Sequence, residues 1–154
     1  MRRRKKLLAV LLAAVLFLTL SVPSLAAAAI DTSRAVSLTI SYRQDGTPIA
    51  GALFALYRVA DVDAYAEFTP AGDFKTYPVR YDGLDSAAWR ALAETLAAYA
   101  QRDRLTPLDS GVTGKNGELA FPTDGKRLLP GLYLVIGQPF SDGSNVYTAE
   151  PLLV

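Results

Sequence analysis

A period of two does most to limit what this chain can fold into. From Ala35 to Tyr42, the apolar residues Val36, Leu38, Ile40 and Tyr42 alternate with Ala35, Ser37, Thr39 and Ser41. Side chains on a strand point to opposite faces in turn, so this run is a strand with one face to bury. Turn chemistry follows in Gln44-Asp45-Gly46-Thr47-Pro48. The next run, Ala52 to Val59, has Leu53, Ala55, Tyr57 and Val59 on one parity and Phe54 and Leu56 on the other. Apolar residues on both parities read as a strand covered on both sides. In Asp61 to Asp82, Phe68 and the segment Phe74 to Val79 suggest short edge strands, since Pro70 and Pro78 are tolerated at edges and poorly inside a sheet. From Thr106 the period of two returns in Leu119 to Pro122, Leu132 to Ile136 and a last strand from Val146 to Val154. Turns separate these runs at Lys115-Asn116-Gly117-Glu118 and Asp142-Gly143-Ser144-Asn145, the first carrying the Asn-Gly pair of tight hairpins. Short strands at regular spacing argue for an all-β fold built as a β-sandwich.

One segment breaks the period. Between Asp85 and Arg102, Trp89, Leu92, Leu96 and Tyr99 recur at steps of three and four, while Arg90, Glu94 and Gln101 lie off that stripe. This predicts one amphipathic helix over about 85–102, capped by Asp85 or Ser86 and inserted between strands. Trp89 and Tyr99 are aromatic anchors of the kind that dominate interfaces, but their helical spacing assigns them to the domain's own core.

The first 28 residues read as a cleavable export signal, followed by one domain over 29–154. Arg2, Arg3, Arg4, Lys5 and Lys6 form a basic start, and Leu7 to Leu20 is an apolar run of 14 residues. That run is short of the roughly 20 residues that span a bilayer, which argues against an uncleaved anchor. Small residues place cleavage after Ala26 or Ala28. Removing the segment takes five basic residues and no acid, so Lys+Arg falls from 16 to 11 against 15 acids and the formal charge becomes −4. Nothing in that balance favours nucleic acid or an anionic membrane; membrane contact is expected only through the signal before cleavage. The chain has no cysteine and no histidine. Packing, or a crosslink other than a disulfide, must stabilise it in its oxidising destination. The apolar ending Pro151-Leu152-Leu153-Val154 reads as a strand cut partway, so the last strand is expected to be truncated and its edge open to pairing.

Two motifs carry a resemblance. Gly46-Thr47-Pro48-Ile49-Ala50-Gly51-Ala52-Leu53-Phe54-Ala55-Leu56-Tyr57 looks like the first-hairpin signature of Cna B-type domains. Downstream, Thr113, Asn116, Gly117 and Phe121, then Leu129, Pro130, Gly131, Tyr133 and Val135, fit that family's Thr-x-x-x-Gly-x-x-x-Phe and Leu-Pro-Gly-x-Tyr-x-Val patterns. These are the prealbumin-like domains of Gram-positive pilins and surface adhesins. The resemblance implies a prealbumin-like Greek-key sandwich, with a helix similar to that of N-terminal domains of some backbone pilins. Apart from any family, Gly51 and Gly131 suit turns and close backbone approach, and Phe54, Phe121 and Tyr133 suit the core between opposed sheets.

The resemblance also implies a chemistry to look for. Many such domains form an internal Lys–Asn isopeptide bond, in which a buried lysine attacks an asparagine amide beside a protonated acid. The lysine would belong near Ser41 or Tyr42, and the acid near Gly137 or Gln138. Neither pair supplies the required residue, and beyond the signal the only lysines are Lys75, Lys115 and Lys126. No isopeptide bond is expected. Neither a sortase pilin motif nor a wall-sorting signal occurs in these residues.

Other chemistries gain little. Without Cys or His the common nucleophile–base pairs cannot be built, and there is no Ser-x-x-Lys pattern. Gly111-Val112-Thr113-Gly114-Lys115 has two residues between its glycines where a phosphate loop needs four. Asp61, Asp63 and Glu67 alternate as calcium ligands do, but lack the spacing of an EF-hand loop and read as a solvated acidic turn. No catalytic residue, cofactor or metal site is assigned. The expected role is a non-catalytic structural or adhesive module of a pilin-like or adhesin protein, secreted to the cell surface or wall of a Gram-positive bacterium. Its partners would be other pilin or surface-protein subunits, or host and matrix ligands. The alternatives are a secreted transthyretin-like module that binds a carbohydrate or other ligand, and an accessory domain of a larger secreted enzyme.

Overall fold

The computed structural model describes residues 29–154, so the export segment and both cleavage positions, Ala26 and Ala28, lie outside the described residues. The run with apolar residues on both parities becomes the central strand. β4, Leu53–Val62, holds Phe54, Ala55, Leu56, Val59 and Ala60 buried along its length. The first and third strands by order, β1 (Leu38–Ser41) and β3 (Thr47–Pro48), and β2 (Arg43–Gln44) lie elsewhere. On one side β4 pairs with β8 (Gly131–Gly137), from Phe54↔Gly137 to Asp61↔Gly131, with a slip in register between Arg58 and Ala60. On its other side lie β6 (Asp109–Val112) and β5 (Phe68–Pro70). β11 (Leu152–Leu153) pairs with the free side of β8 and completes a five-stranded sheet. The second layer is a pair, β1 with β7 (Glu118–Phe121), in the register Leu38↔Phe121 to Ser41↔Glu118. Two hairpins, β2–β3 and β9–β10 (Phe140–Ser141 and Val146–Tyr147), stand apart from both sheets. Every strand pairing described is antiparallel.

Alternation along β8 divides the interior. Leu132, Leu134 and Ile136 face a core shared with Val59, Phe74 and Tyr81. Tyr133 and Val135 face a second core with Phe54, Leu56, Leu119, Phe121 and Leu128. Phe121 comes from the small sheet and Phe54 and Tyr133 from the large one, as expected of opposed layers. The helix α1, Ser86–Arg102, covers the first core with Ala93, Leu96, Ala97 and Ala100, and Trp89, Leu92 and Tyr99 pack around its margin. Its start is fixed by Asp85, whose Oδ1 accepts from the Ala88 N–H at 2.8 Å. The molecule is thus mostly β with one helix, and the main sheet lies between a helix and a two-stranded layer.

Three elements differ from the sequence reading. Phe74 to Val79 is not an edge strand: Gly72–Thr76 is a 3-10 turn that begins at a positive φ of 53° at Gly72. Packing overrides the local pattern there, because the turn delivers Phe74 into the helix-side core, edge-on to Tyr57 at 6.3 Å. The last strand is broken as well; Val146–Tyr147 belongs to a hairpin, and Pro151, which has no N–H to give, precedes β11. The first strand is shorter than its alternation, beginning at Leu38, with Val36 held by a lone bridge to Leu128.

Candidate functional site

The two motifs meet at Thr113, the one buried polar residue among the described residues. Its hydroxyl donates to the Ile49 carbonyl at 2.7 Å and accepts from the Ala52 N–H at 3.0 Å. Its backbone completes the clasp: Thr113 N–H donates to Ala52 O at 3.0 Å, and Gly51 N–H donates to Thr113 O at 2.8 Å. The bend at 49–52 lies just before the β4–β6 pairing, and the threonine hydroxyl satisfies the Ile49 carbonyl and the Ala52 N–H, which burial would otherwise leave unpaired. Gly51 takes a φ of +83° in this bend. Gly117, at +75°, brings its Cα so near the first strand that a Cβ would lie 2.5 Å from the Tyr42 carbonyl oxygen. At Gly131 a Cβ would lie 2.8 Å from the Ala60 oxygen. Two residues on, the Tyr133 hydroxyl donates back to Leu129 O at 2.5 Å, and the Arg58 guanidinium donates to Pro130 O at 3.1 Å. Burial raises the Tyr133 hydroxyl pKa, which keeps it a donor.

Two of the positions at which the resemblance would place a lysine and an acid, Tyr42 and Gly137, both lie against Phe54. Tyr42 lies edge-on against Phe54 at 5.3 Å, Phe54 pairs with Gly137, and a Cβ on Gly137 would lie 2.7 Å from Ala149 and 2.8 Å from the Phe54 ring. The contact there is apolar. Ser41 and Gln138 are exposed beside it. Lys75, Lys115 and Lys126 are all exposed; Lys126 pairs with Asp124 at 2.6 Å.

Other residues singled out in the sequence have local tasks. Asp61 accepts from Arg58 at 2.8 Å, while Asp63 accepts from the N–H groups of Tyr65 and Glu67, so these carboxylates shape a turn. Among the described residues no three acids come together as a metal site. Gly111 to Lys115 runs from β6 into the turn before β7, where Gly117 N–H donates to Gly114 O at 2.9 Å. Trp89 packs edge-on to Phe68 at 6.2 Å and, with Leu132 and Leu153, lines an apolar cleft of about 480 Å³ between α1 and β11. Tyr99 stacks on Tyr77 at 4.4 Å.

A second cleft, of about 380 Å³, opens between the two free hairpins. Gln44, Asp45 and Thr47 of the β2–β3 hairpin form one wall, and Phe140, Asn145 and Tyr147 of the β9–β10 hairpin form the other, over the buried Ile49. The Phe140 and Tyr147 rings stack at 6.1 Å with 24° between their planes. Asp142 braces this wall: its Oδ1 accepts from the N–H groups of Ser144 and Asn145, and its Oδ2 from the Tyr147 hydroxyl at 2.8 Å. Those donors, the Asn145 N–H first, lower the Asp142 pKa, and the Asp142 bond in turn raises that of Tyr147. Both turns are legible in the sequence. Their convergence is not, because it depends on Thr113 and Gly117 setting the course of the chain between them.

The fold and these sites define a mostly β, helix-covered domain with a clasped bend and a cleft between two hairpins. Comparison with protein-family models, with curated proteins and with solved structures returns no match.

Proposed function

We propose that this chain is a non-catalytic module of the bacterial cell surface, a structural or adhesive part of a pilin-like or adhesin protein. In this reading the layers form a prealbumin-like Greek-key sandwich, and the chain is exported through cleavage after Ala26 or Ala28. The observation that carries the reading is the Thr113 clasp. It joins the Gly51-Ala52 bend of the first motif to the Thr-x-x-x-Gly segment of the second, through four hydrogen bonds of 2.7–3.0 Å. In this reading the two segments that carry the resemblance share one physical purpose, to fix the bend that leads into β4 beside β6. The mechanism is mechanical and interfacial: the layers hold hairpins and helix at fixed spacing, and partners dock on loops or strand edges. A Gram-positive cell wall is the expected location.

Antibodies against the chain should label intact cells of the source bacterium, and brief protease treatment of those cells should remove the label. Deleting the gene should reduce attachment of the cells to surfaces or to one another. Label confined to the cytosol would overturn the proposal. A second reading, a secreted ligand- or carbohydrate-binding module, is favoured by the cleft between the hairpins.

A further inference from the structure

We infer that the cleft between the β2–β3 and β9–β10 hairpins binds a neutral saccharide. The inference concerns the ligand of one site and does not depend on where the chain is displayed. Small-ligand sites combine an apolar wall with a few placed polar groups, in volumes of roughly 300–1,000 Å³; this cleft, at about 380 Å³, has both. The stacked rings of Phe140 and Tyr147 supply the wall. A pyranose is amphipathic in the same sense, with C–H faces and hydroxyl edges. Facing the rings, Gln44, Asp45 and Thr47 make no side-chain hydrogen bond among the described residues. They offer an amide, a carboxylate and a hydroxyl, which together accept from and donate to hydroxyl groups.

Charge and bonding narrow the class further. The lining includes two carboxylates, Asp45 and Asp142, and no lysine or arginine. An anionic saccharide, nucleotide or phosphate would meet like charge there. A cation would find one free carboxylate, Asp45, because both Asp142 oxygens are already committed to Ser144, Asn145 and Tyr147. That same bracing holds the ring wall in place before a ligand arrives, which lowers the ordering cost of binding. The opposite wall is held too: Tyr42 N–H donates to Gly117 O at 2.8 Å, and Ile49 N–H to Tyr42 O at 3.0 Å.

The test titrates the purified chain with neutral oligosaccharides of glucose, mannose, galactose and N-acetylglucosamine, and with a sulfated one, while amide NMR shifts are recorded. At least one neutral oligosaccharide should shift residues 44–49 and 140–147, with a Kd of about 1 mM or tighter. The sulfated one should bind more weakly. The double variant Gln44→Ala with Asp45→Asn changes exposed side chains only, so it should keep its thermal midpoint and weaken binding by about tenfold. Tyr147→Phe should keep the ring wall but free Asp142, with a smaller loss. No shift with any neutral oligosaccharide at about 10 mM, shifts that map elsewhere, or a double variant that binds as the parent does would each overturn the inference. A cytosolic chain that still binds would sink the surface role and leave this site standing.

Discussion

Thr113 shows how one side chain can explain a spaced motif. Its hydroxyl is donor and acceptor at once, and both partners are backbone groups of the bend that leads into β4. Valine has nearly the same shape but leaves the Ile49 carbonyl and the Ala52 N–H without those partners. Each buried group so stranded costs about 1–3 kcal/mol. Thr113→Val is therefore expected to lose about 2–4 kcal/mol of unfolding free energy. Thr113→Ser keeps the hydroxyl and loses only a methyl, so about 1 kcal/mol is expected. Urea unfolding of the three proteins measures this. Equal losses in the two variants would mean that the methyl, not the hydroxyl, matters at this position.

At the scale of elements, the C-terminal end of α1 is tied to the loop that precedes the helix. Asp103 accepts from the Tyr77 hydroxyl at 2.5 Å and from Arg102 at 2.6 and 2.8 Å, and Arg102 also lies 5.0 Å from the Tyr99 ring centroid. The Arg102 bonds, then the Tyr77 bond, lower the Asp103 pKa from 3.8 to about 2. A carboxylate with a depressed folded pKa contributes stability above its unfolded value, and that contribution fades as pH falls toward the folded one. The window here runs from about pH 4 down to about pH 2. Asp103→Asn should be less stable than the parent at neutral pH, and the gap between their thermal midpoints should narrow through that window. A gap that stays constant down to pH 2 would show that the ionised carboxylate is not what ties the helix end. None of this cluster is visible in the sequence, since Tyr77 and Asp103 are far apart and the aromatic run around Phe74 reads locally as strand. The helix itself is legible because its stripe and its cap agree. The central strand is legible because both of its parities are apolar. The 3-10 turn is not, because Phe74 is placed by the core it fills and not by its neighbours.

For the whole molecule, the issue is what replaces a covalent brace in a chain with no cysteine. The layers put Tyr42, Phe54, Gly137 and Ala149 together in one apolar contact, and two of them, Tyr42 and Gly137, are positions at which the resemblance would place a crosslink's lysine and acid. Of these residues, the resemblance singled out only Tyr42 and Gly137 as such positions. It could not show that the four come together, because contact depends on the pairing of Phe54 with Gly137 and on the path from β10 to β11. An amide crosslink needs a lysine desolvated enough to be neutral and an acid buried enough to be protonated. Lys75, Lys115 and Lys126 are exposed, and Lys126 has its pKa raised by Asp124, which holds it more firmly as a cation. The intact mass of the purified chain, after allowing for the cleavage site, should equal the sum of its residues with no ammonia lost. A mass lower by one ammonia, with a peptide pair that survives digestion as a branched species, would show that one of these lysines reaches an asparagine after all.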